Sequence, residues 1–389
     1  MNPLGAFRSL TQKYLRYVDT FQGYQNPDIE AWLRERVHEH GFLWRDPYIT
    51  VRRRFARGDS LEELAERDVV HRHIPELFGR PGEDFHLYQH QAEAIVKCLH
   101  GQKNVVVATG TGSGKSFAFA IPVVSEALTL REAGVGGIKA VIVYPMNALA
   151  NSQYEDLAAR LKGTGLKICN YTGDLPALPE RALDHFRELT GRTEPFDCEV
   201  ISRQELRSAE GGADILITNY MMLELALTRW QDRELFPFGQ MGGLRFLVLD
   251  ELHTYSGRQG ADVACLVRRF KEHTSSCGSL RCIGTSATID SSDETAAKAS
   301  IARFASELFG EIFEPDAVIT ETHADHLTSA SPDALPADPL ITPDLLDRLI
   351  GGDGAALLEA RQALCGVDDP EALRKQATVG FLERRLAES

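Results

Sequence analysis

The sequence predicts an α/β fold: a parallel sheet sandwiched by helices, with a helical N-terminal section and a helical, acidic C-terminal section. Three observations carry that expectation. Short, near-continuous Val/Ile/Leu runs alternate with amphipathic stretches of helical length, the pattern of strands buried on both faces. One run, Val105-Val106-Val107-Ala108, empties into a turn of glycine, serine and threonine and then a helix. Another, Phe246-Leu247-Val248-Leu249, ends on the acidic pair Asp250-Glu251. Right-handed crossovers place all such strand ends along one edge of the sheet.

Taken in order, residues 1–80 read as a helical accessory section. Tyr14, Leu15, Tyr17, Val18 and Phe21 recur at near-helical spacing, and Asn26-Pro27 opens a second helix through Trp32, Leu33 and Val37. Arg52-Arg53-Arg54-Phe55-Ala56-Arg57 is basic with one aromatic inside it. It reads either as a solvated, salt-bridging face or as a track for a phosphate backbone. The central lobe is expected over 81–310. A helix from Ala92 to Leu99 leads into the glycine-rich turn, whose own helix starts near Lys115. Strands are expected at Ile138–Tyr144, Leu166–Tyr171, Ala213–Thr218 and Leu244–Leu249, with Arg281–Gly284 ending the series. Asn147–Leu161 reads as a helix. Leu175–Gly212 is a long, partly helical connection to which no chemistry is assigned. Residues 311–389 turn acidic, with a Pro/Ala/Asp-rich linker at 331–340 and helices over 342–365 and 370–387.

Composition narrows the classes. With 389 residues, 43% of them hydrophobic and 25% charged, the chain is an ordinary globular protein of two or three domains. No apolar run approaches the ~20 residues that span a bilayer. No secretory leader opens the sequence, so a cytoplasmic location is expected. The seven cysteines form no C-x-x-C pair, which argues against a zinc ribbon or a disulfide framework. The net charge of −14 is concentrated toward the C-terminus, and says little about a local groove for nucleic acid.

The chemistry lies in the turns. Thr109-Gly110-Thr111-Gly112-Ser113-Gly114-Lys115-Ser116 nearly matches G-x-x-x-x-G-K-[ST], with Thr109 at the first glycine position. Such a loop aims backbone N–H groups at phosphates, here those of ATP. Lys115 would reach the β- and γ-phosphates and the Ser116 hydroxyl would hold Mg²⁺. Asp250 would be the second metal partner, and Glu251 the general base that activates water in line with the γ-phosphate. Upstream, Tyr88 and Gln91 stand at the right distance to frame an adenine by stacking and amide hydrogen bonds.

These residues together resemble superfamily 2 DExH-box helicases. Asp250-Glu251-Leu252-His253 matches motif II, Thr109–Ser116 motif I, Ser286-Ala287-Thr288 motif III and Gln91 the upstream glutamine motif. The resemblance implies a RecA-like lobe. It also implies catalytic roles for Lys115, Asp250, Glu251 and His253, and a coupling role for Ser286 and Thr288 through hydrogen bonds to His253. Pro145-Met146-Asn147, Thr172-Gly173 and Thr218-Asn219 resemble the motifs that touch the nucleic-acid strand. His253-x-Tyr255-x-Gly257-x-x-Gly260 is similar to the MrfA-like (YprA-type) bacterial DNA helicases, with related large helicases in phage-defence loci. The segments around Asp19-Thr20 and Asp46-Pro47-Tyr48-Ile49 also resemble the leader of that group. DNA as the strand and 3′→5′ movement follow from that likeness alone.

Nothing after residue 310 resembles motifs IV to VI, and the arginine-rich motif of a second lobe is missing, as is the four-cysteine module of MrfA-like proteins. The expectation is therefore an ATP-binding lobe that hydrolyses ATP weakly alone and needs a second RecA-like lobe, in a longer chain or on a partner. An ATP-operated switch or scaffold is the alternative. Glu251 weighs against it, since a switch without turnover needs no water-activating carboxylate. A small-molecule kinase is disfavoured by the strand motifs.

Overall fold

The computed structural model describes residues 3–21, 26–38, 54–80, 84–110, 112–208, 212–232, 243–287 and 293–324, plus a few single positions. The chain divides into two compact units, one formed by residues 1–54 with 323–389 and the other by 55–322.

In the first unit, α1 (Pro3–Phe21) packs against α2 (Pro27–His38). Asn26 starts the second helix as its spacing suggests, its side chain accepting from the N–H of Asp28 at 2.9 Å. Leu345, Arg348, Ala355 and Glu359, from the helix expected over 342–365, are all helical, and Arg348 pairs with Glu359 at 2.8 Å. The helix expected over 370–387, the segment 46–49 and Arg52-Arg53 lie outside the described residues.

The second unit begins with β1 (Arg57–Ser60), α3 (Leu61–Glu66), α4 (Ile74–Phe78), β2 (His86–Tyr88) and α5 (Gln89–Leu99). The phosphate-loop strand β3 (Val105–Ala108) and α6 (Lys115–Glu132) follow, then β4 (Ala140–Val143), α7 (Asn147–Leu161) and β5 (Ile168–Tyr171). Next come α8 (Pro179–Thr190), β6 (Glu199–Val200), α9 (Arg203–Arg207), β7 (Ile215–Thr218) and α10 (Tyr220–Thr228). The unit closes with β8 (Phe246–Leu249), α11 (Gly257–His273), β9 (Arg281–Ser286), α12 (Glu294–Phe309) and β10 (Val318–Thr320).

Eight strands form one sheet in the order β10-β3-β9-β8-β4-β7-β5-β6, every pair parallel. Alternation along each strand feeds two cores. Val105, Val107, Ile142 and Val248 face α5, α6 and α7. Val106, Val143, Leu247 and Leu249 face α10, α11 and α12. This is the helix-sandwiched parallel sheet that the apolar runs predict, with the RecA-like character that the resemblance implies. α3 and α4 add Leu61, Leu64, Ile74 and Phe78 to the first core, behind a capping box in which Ser60 and Glu63 satisfy each other's N–H groups.

Three expectations change. The strand series does not end at Gly284: β9 runs on to Ser286, and β10 adds an eighth strand beside β3, with Val318 opposite Val106. A three-residue strand between Pro315 and Glu321 is too short to stand out from its acidic surroundings. The connection 175–212 supplies the edge strand β6 and two helices. And the compact unit reaches from Phe55 to Thr322, so segments read as parts of the flanking sections pack with the sheet.

Gly260 explains part of the finer motif after Asp250-Glu251. It lies in the first turn of α11, and a Cβ there would stand 2.5 Å from the carbonyl oxygen of the fully buried Tyr255. A backbone oxygen cannot rotate away. Alanine gains roughly 1 kcal/mol of helix propensity, which the clash exceeds. Gly260→Ala is therefore expected to destabilise the unit by about 1–2 kcal/mol, measured as a lower urea midpoint at unchanged slope.

Candidate active site

The phosphate loop leaves β3 at Thr109, which is fully buried. Its N–H donates to the Ser286 carbonyl at 3.2 Å, and its hydroxyl pairs with that of Ser113 at 2.7 Å. The one residue that breaks the glycine pattern thus ties the start of the loop to its middle. Gly112 and Gly114 take left-handed backbone angles, φ +82° and +71°. At Gly114 a Cβ would also strike the Gln91 amide at 2.4 Å. Ser116, half-buried, sits one residue into α6. Gly110 is described and Thr111 is not.

Gln91 is turned onto this loop. Its Nε2 donates to the carbonyls of Ser113 (3.2 Å) and Gly114 (2.9 Å), while its Oε1 accepts from Tyr88 N–H at 2.9 Å. His90 Nε2 adds a third contact, 3.0 Å from the Ser113 carbonyl. The Tyr88 ring stacks on His90 and lies 4.9 Å from that of Phe55. Phe55 thereby joins the aromatic group beside the loop, a neighbour that nothing in the spacing of the basic run reveals.

Lys115 Nζ reaches the Ser286 carbonyl at 3.2 Å and Glu251 Oε1 at 3.4 Å. The acidic pair is held from β9. Thr285, fully buried, donates its O–H to Asp250 Oδ1 and accepts the N–H of Glu251 at 3.0 Å. Burial pushes the Asp250 carboxyl above its usual range, and the Thr285 hydrogen bond opposes that shift. Glu251 has φ +52°, a conformation that costs an ordinary residue on the order of 1 kcal/mol and that the bond to Thr285 helps hold. Thr285 escapes sequence reasoning because a β-branched residue near a strand end looks like core.

His253 Nδ1 stands 3.3 Å from Glu251 Oε2 and 3.4 Å from the N–H of Ala287. Unprotonated, that nitrogen accepts from Ala287; protonated, it donates to Glu251. The link from Ser286-Ala287 to His253 therefore runs through the Ala287 backbone, where a Ser286 hydroxyl was expected. Ser286 contributes its carbonyl to Thr109 and Lys115 instead. Thr288 lies outside the described residues.

The expected strand-contacting residues gather on the same edge, at the ends of the adjacent strands β4, β7 and β5. Asn219 caps α10 through Met222 N–H (2.8 Å), and its Nδ2 donates to Asn147 Oδ1 (2.7 Å) at the start of α7. Two helix N-termini are locked side by side. Pro145 and Met146 lead into the first of them, and Met146 and Met221 are exposed. The hydroxyl of the buried Thr218 is spent on the Tyr171 carbonyl at 2.7 Å. Arg203, from the connection given no chemistry, donates to the carbonyls of Thr172 (3.3 Å), Gly173 (3.4 Å) and Leu175 (3.0 Å), and so shapes the turn after β5.

The family profile described as DEAD/DEAH box helicase matches residues 88–296, more than half of the sequence. This chain belongs to the DEAD/DEAH box helicases. Druantia protein DruE of Escherichia coli (strain UMEA 4076-1) is 26% identical to it over 406 aligned positions, 78% of this chain and 21% of that protein. The ATP-dependent helicase YprA of Bacillus subtilis (strain 168) is 31% identical over 221 positions, 54% of this chain and 24% of that one. The crystal structure of the DUF1998 helicase MrfA bound to DNA aligns at a TM-score of 0.50 and 25% identity, over 70% of this chain and 32% of that one. The helicase chain thus spans about a quarter or less of the length of these curated relatives. Among its described residues no helix is long and apolar enough to cross a membrane.

Thr285 can be tested apart from any nucleotide. Thr285→Val keeps the shape and leaves the Glu251 N–H and the Asp250 carboxylate without their partner, an expected cost of about 1–3 kcal/mol in urea unfolding. Thr285→Ser restores the hydroxyl and is expected to recover most of that loss.

Proposed function

We propose that this chain is the ATP-binding RecA-like lobe of an ATP-dependent DExH-box helicase or translocase that acts on a nucleic-acid strand. The observation that carries this is the convergence of Lys115, at the start of α6, with Asp250 and Glu251, just after β8, braced by Thr285 and Ser286 of β9. Backbone N–H groups of the loop cradle the phosphates and Lys115 neutralises them. Ser116 and Asp250 are the oxygen donors that would hold Mg²⁺. The described residues contain no cluster of three or more His, Cys, Asp or Glu side chains that could bind a metal by themselves. That suits an ion which borrows most of its ligands from phosphate and water. When bound, Mg²⁺ neutralises charge on the transferred phosphoryl group. Glu251 orients the attacking water and takes its proton. His253 and Ala287 carry the state of this site toward the strand edge.

On that edge, the N-termini of α7 and α10 offer partial positive charge and free N–H groups to backbone phosphates. Met146 and Met221 supply apolar contact beside them. DNA is favoured because the similar MrfA structure holds DNA. By the same likeness the movement is 3′→5′, in repair or phage defence. Catalysis at speed also needs an arginine aimed at the γ-phosphate, commonly worth about 10³–10⁵ in rate. We assign it to a second RecA-like lobe, in cis or on a partner subunit, so turnover by this chain alone is weak.

The test is ATP turnover by the purified chain with and without single-stranded DNA. Lys115→Ala is expected to abolish ATP binding, and Glu251→Gln to preserve binding while removing turnover. A Glu251→Gln chain that hydrolyses ATP like the parent would show that another group activates the water. DNA affinity is expected to fall steeply with salt, since phosphate contacts release counterions. Salt-independent binding would shift the strand site away from the helix N-termini.

A further inference from the structure

One carboxylate at the phosphate loop belongs to no motif and lies outside the segment matched by the helicase profile. Glu321 directly follows β10, and its Oε2 accepts the N–H of Gly110, the second residue of the loop, at 2.8 Å. The register of β10 on β3, Thr320 opposite Ala108, delivers it there. The next residue closes a circuit. The Thr322 carbonyl accepts Ala56 N–H at 2.8 Å, and the Ala56 carbonyl accepts Gln89 N–H at 2.8 Å, at the first residue of α5. Two residues on, Gln91 grips the carbonyls of Ser113 and Gly114. The loop is therefore held at both ends by one ring of hydrogen bonds that passes through Phe55-Ala56 and Glu321-Thr322, where the chain enters and leaves the compact unit. Every link is neutral except Glu321, a fixed negative charge beside a loop built to receive anions.

We propose that Glu321 is a positioning residue of the nucleotide loop whose charge opposes incoming phosphates, so that nucleotide binding loosens the ring and is felt at the unit's entry and exit. This rests on the nucleotide reading above. Gly110 N–H holds the carboxylate against the loop, and a triphosphate arriving there raises the negative potential around it. The bond to Gly110 weakens, and with it the hold of Thr322 on Ala56 and of Ala56 on Gln89.

The experiment compares the full chain with Glu321→Gln, which keeps an acceptor for Gly110 and removes the charge. Each is titrated with a fluorescent non-hydrolysable ATP analogue and with adenosine, at low and at high salt. The variant is expected to bind the triphosphate more tightly, on the order of three- to tenfold at low salt. The gain should shrink as salt screens the charge, and adenosine affinity should not change. A purely structural role would weaken both ligands alike at every salt concentration. Equal or weaker triphosphate binding by the variant overturns the proposal. In the parent, hydrogen exchange at the Ala56 and Gln89 amides should quicken when the analogue binds; slower or unchanged exchange overturns it too, without recourse to any variant. If the parent shows no analogue binding that Lys115→Ala removes, the nucleotide reading itself falls. If it shows such binding and Glu321→Gln matches the parent, only the role of Glu321 falls.

Discussion

β9 lies between β3 and β8, and the last two residues of that strand serve both neighbours. Thr285 reaches sideways to Asp250 and Glu251 with its hydroxyl, while Ser286 reaches the other way, to Thr109 and Lys115, with its carbonyl. The phosphate loop and the acidic pair are thus referenced to one strand end. Their spacing is fixed by the parallel register of three strands, which is buried in both cores and stiff. A shift of β9 by a fraction of a residue would displace Lys115 and Asp250 together.

The same economy shows on the strand edge. Asn219 spends one amide atom on its own helix and the other on the neighbouring helix, so the two helix N-termini are tied together. The net charge of −14 does not by itself decide what such local fields attract, because dipoles at helix ends act within a turn. Arg203 adds order of a different kind, pinning three carbonyls of the turn after β5 from an otherwise unassigned connection.

Much of this was legible in the sequence. The glycine, lysine and acidic positions could be placed because each follows a strand whose apolar run announces it, whereas the order of strands across the sheet does not follow the order of the runs along the chain. What stayed hidden depends on contacts between distant segments. Thr285 looks like any β-branched strand residue until β8 is beside it. Phe55 looks like part of a basic run until its ring meets Tyr88. β10 and Glu321 sit in an acidic stretch whose composition masks the short run Val318-Ile319-Thr320, and only pairing with β3 identifies it as sheet. The position of Gln91 in the sequence suggests a base-recognising amide, but not the contacts its amide hydrogens make with the loop's own carbonyls.

The backbone bond between Ala56 and Thr322 brings the two ends of the sheet unit within hydrogen-bond distance. A unit whose ends meet is topologically a cassette: it can interrupt another domain at a single surface position without forcing that host apart. Closure of this kind would let the sheet unit be carried intact into chains of very different length.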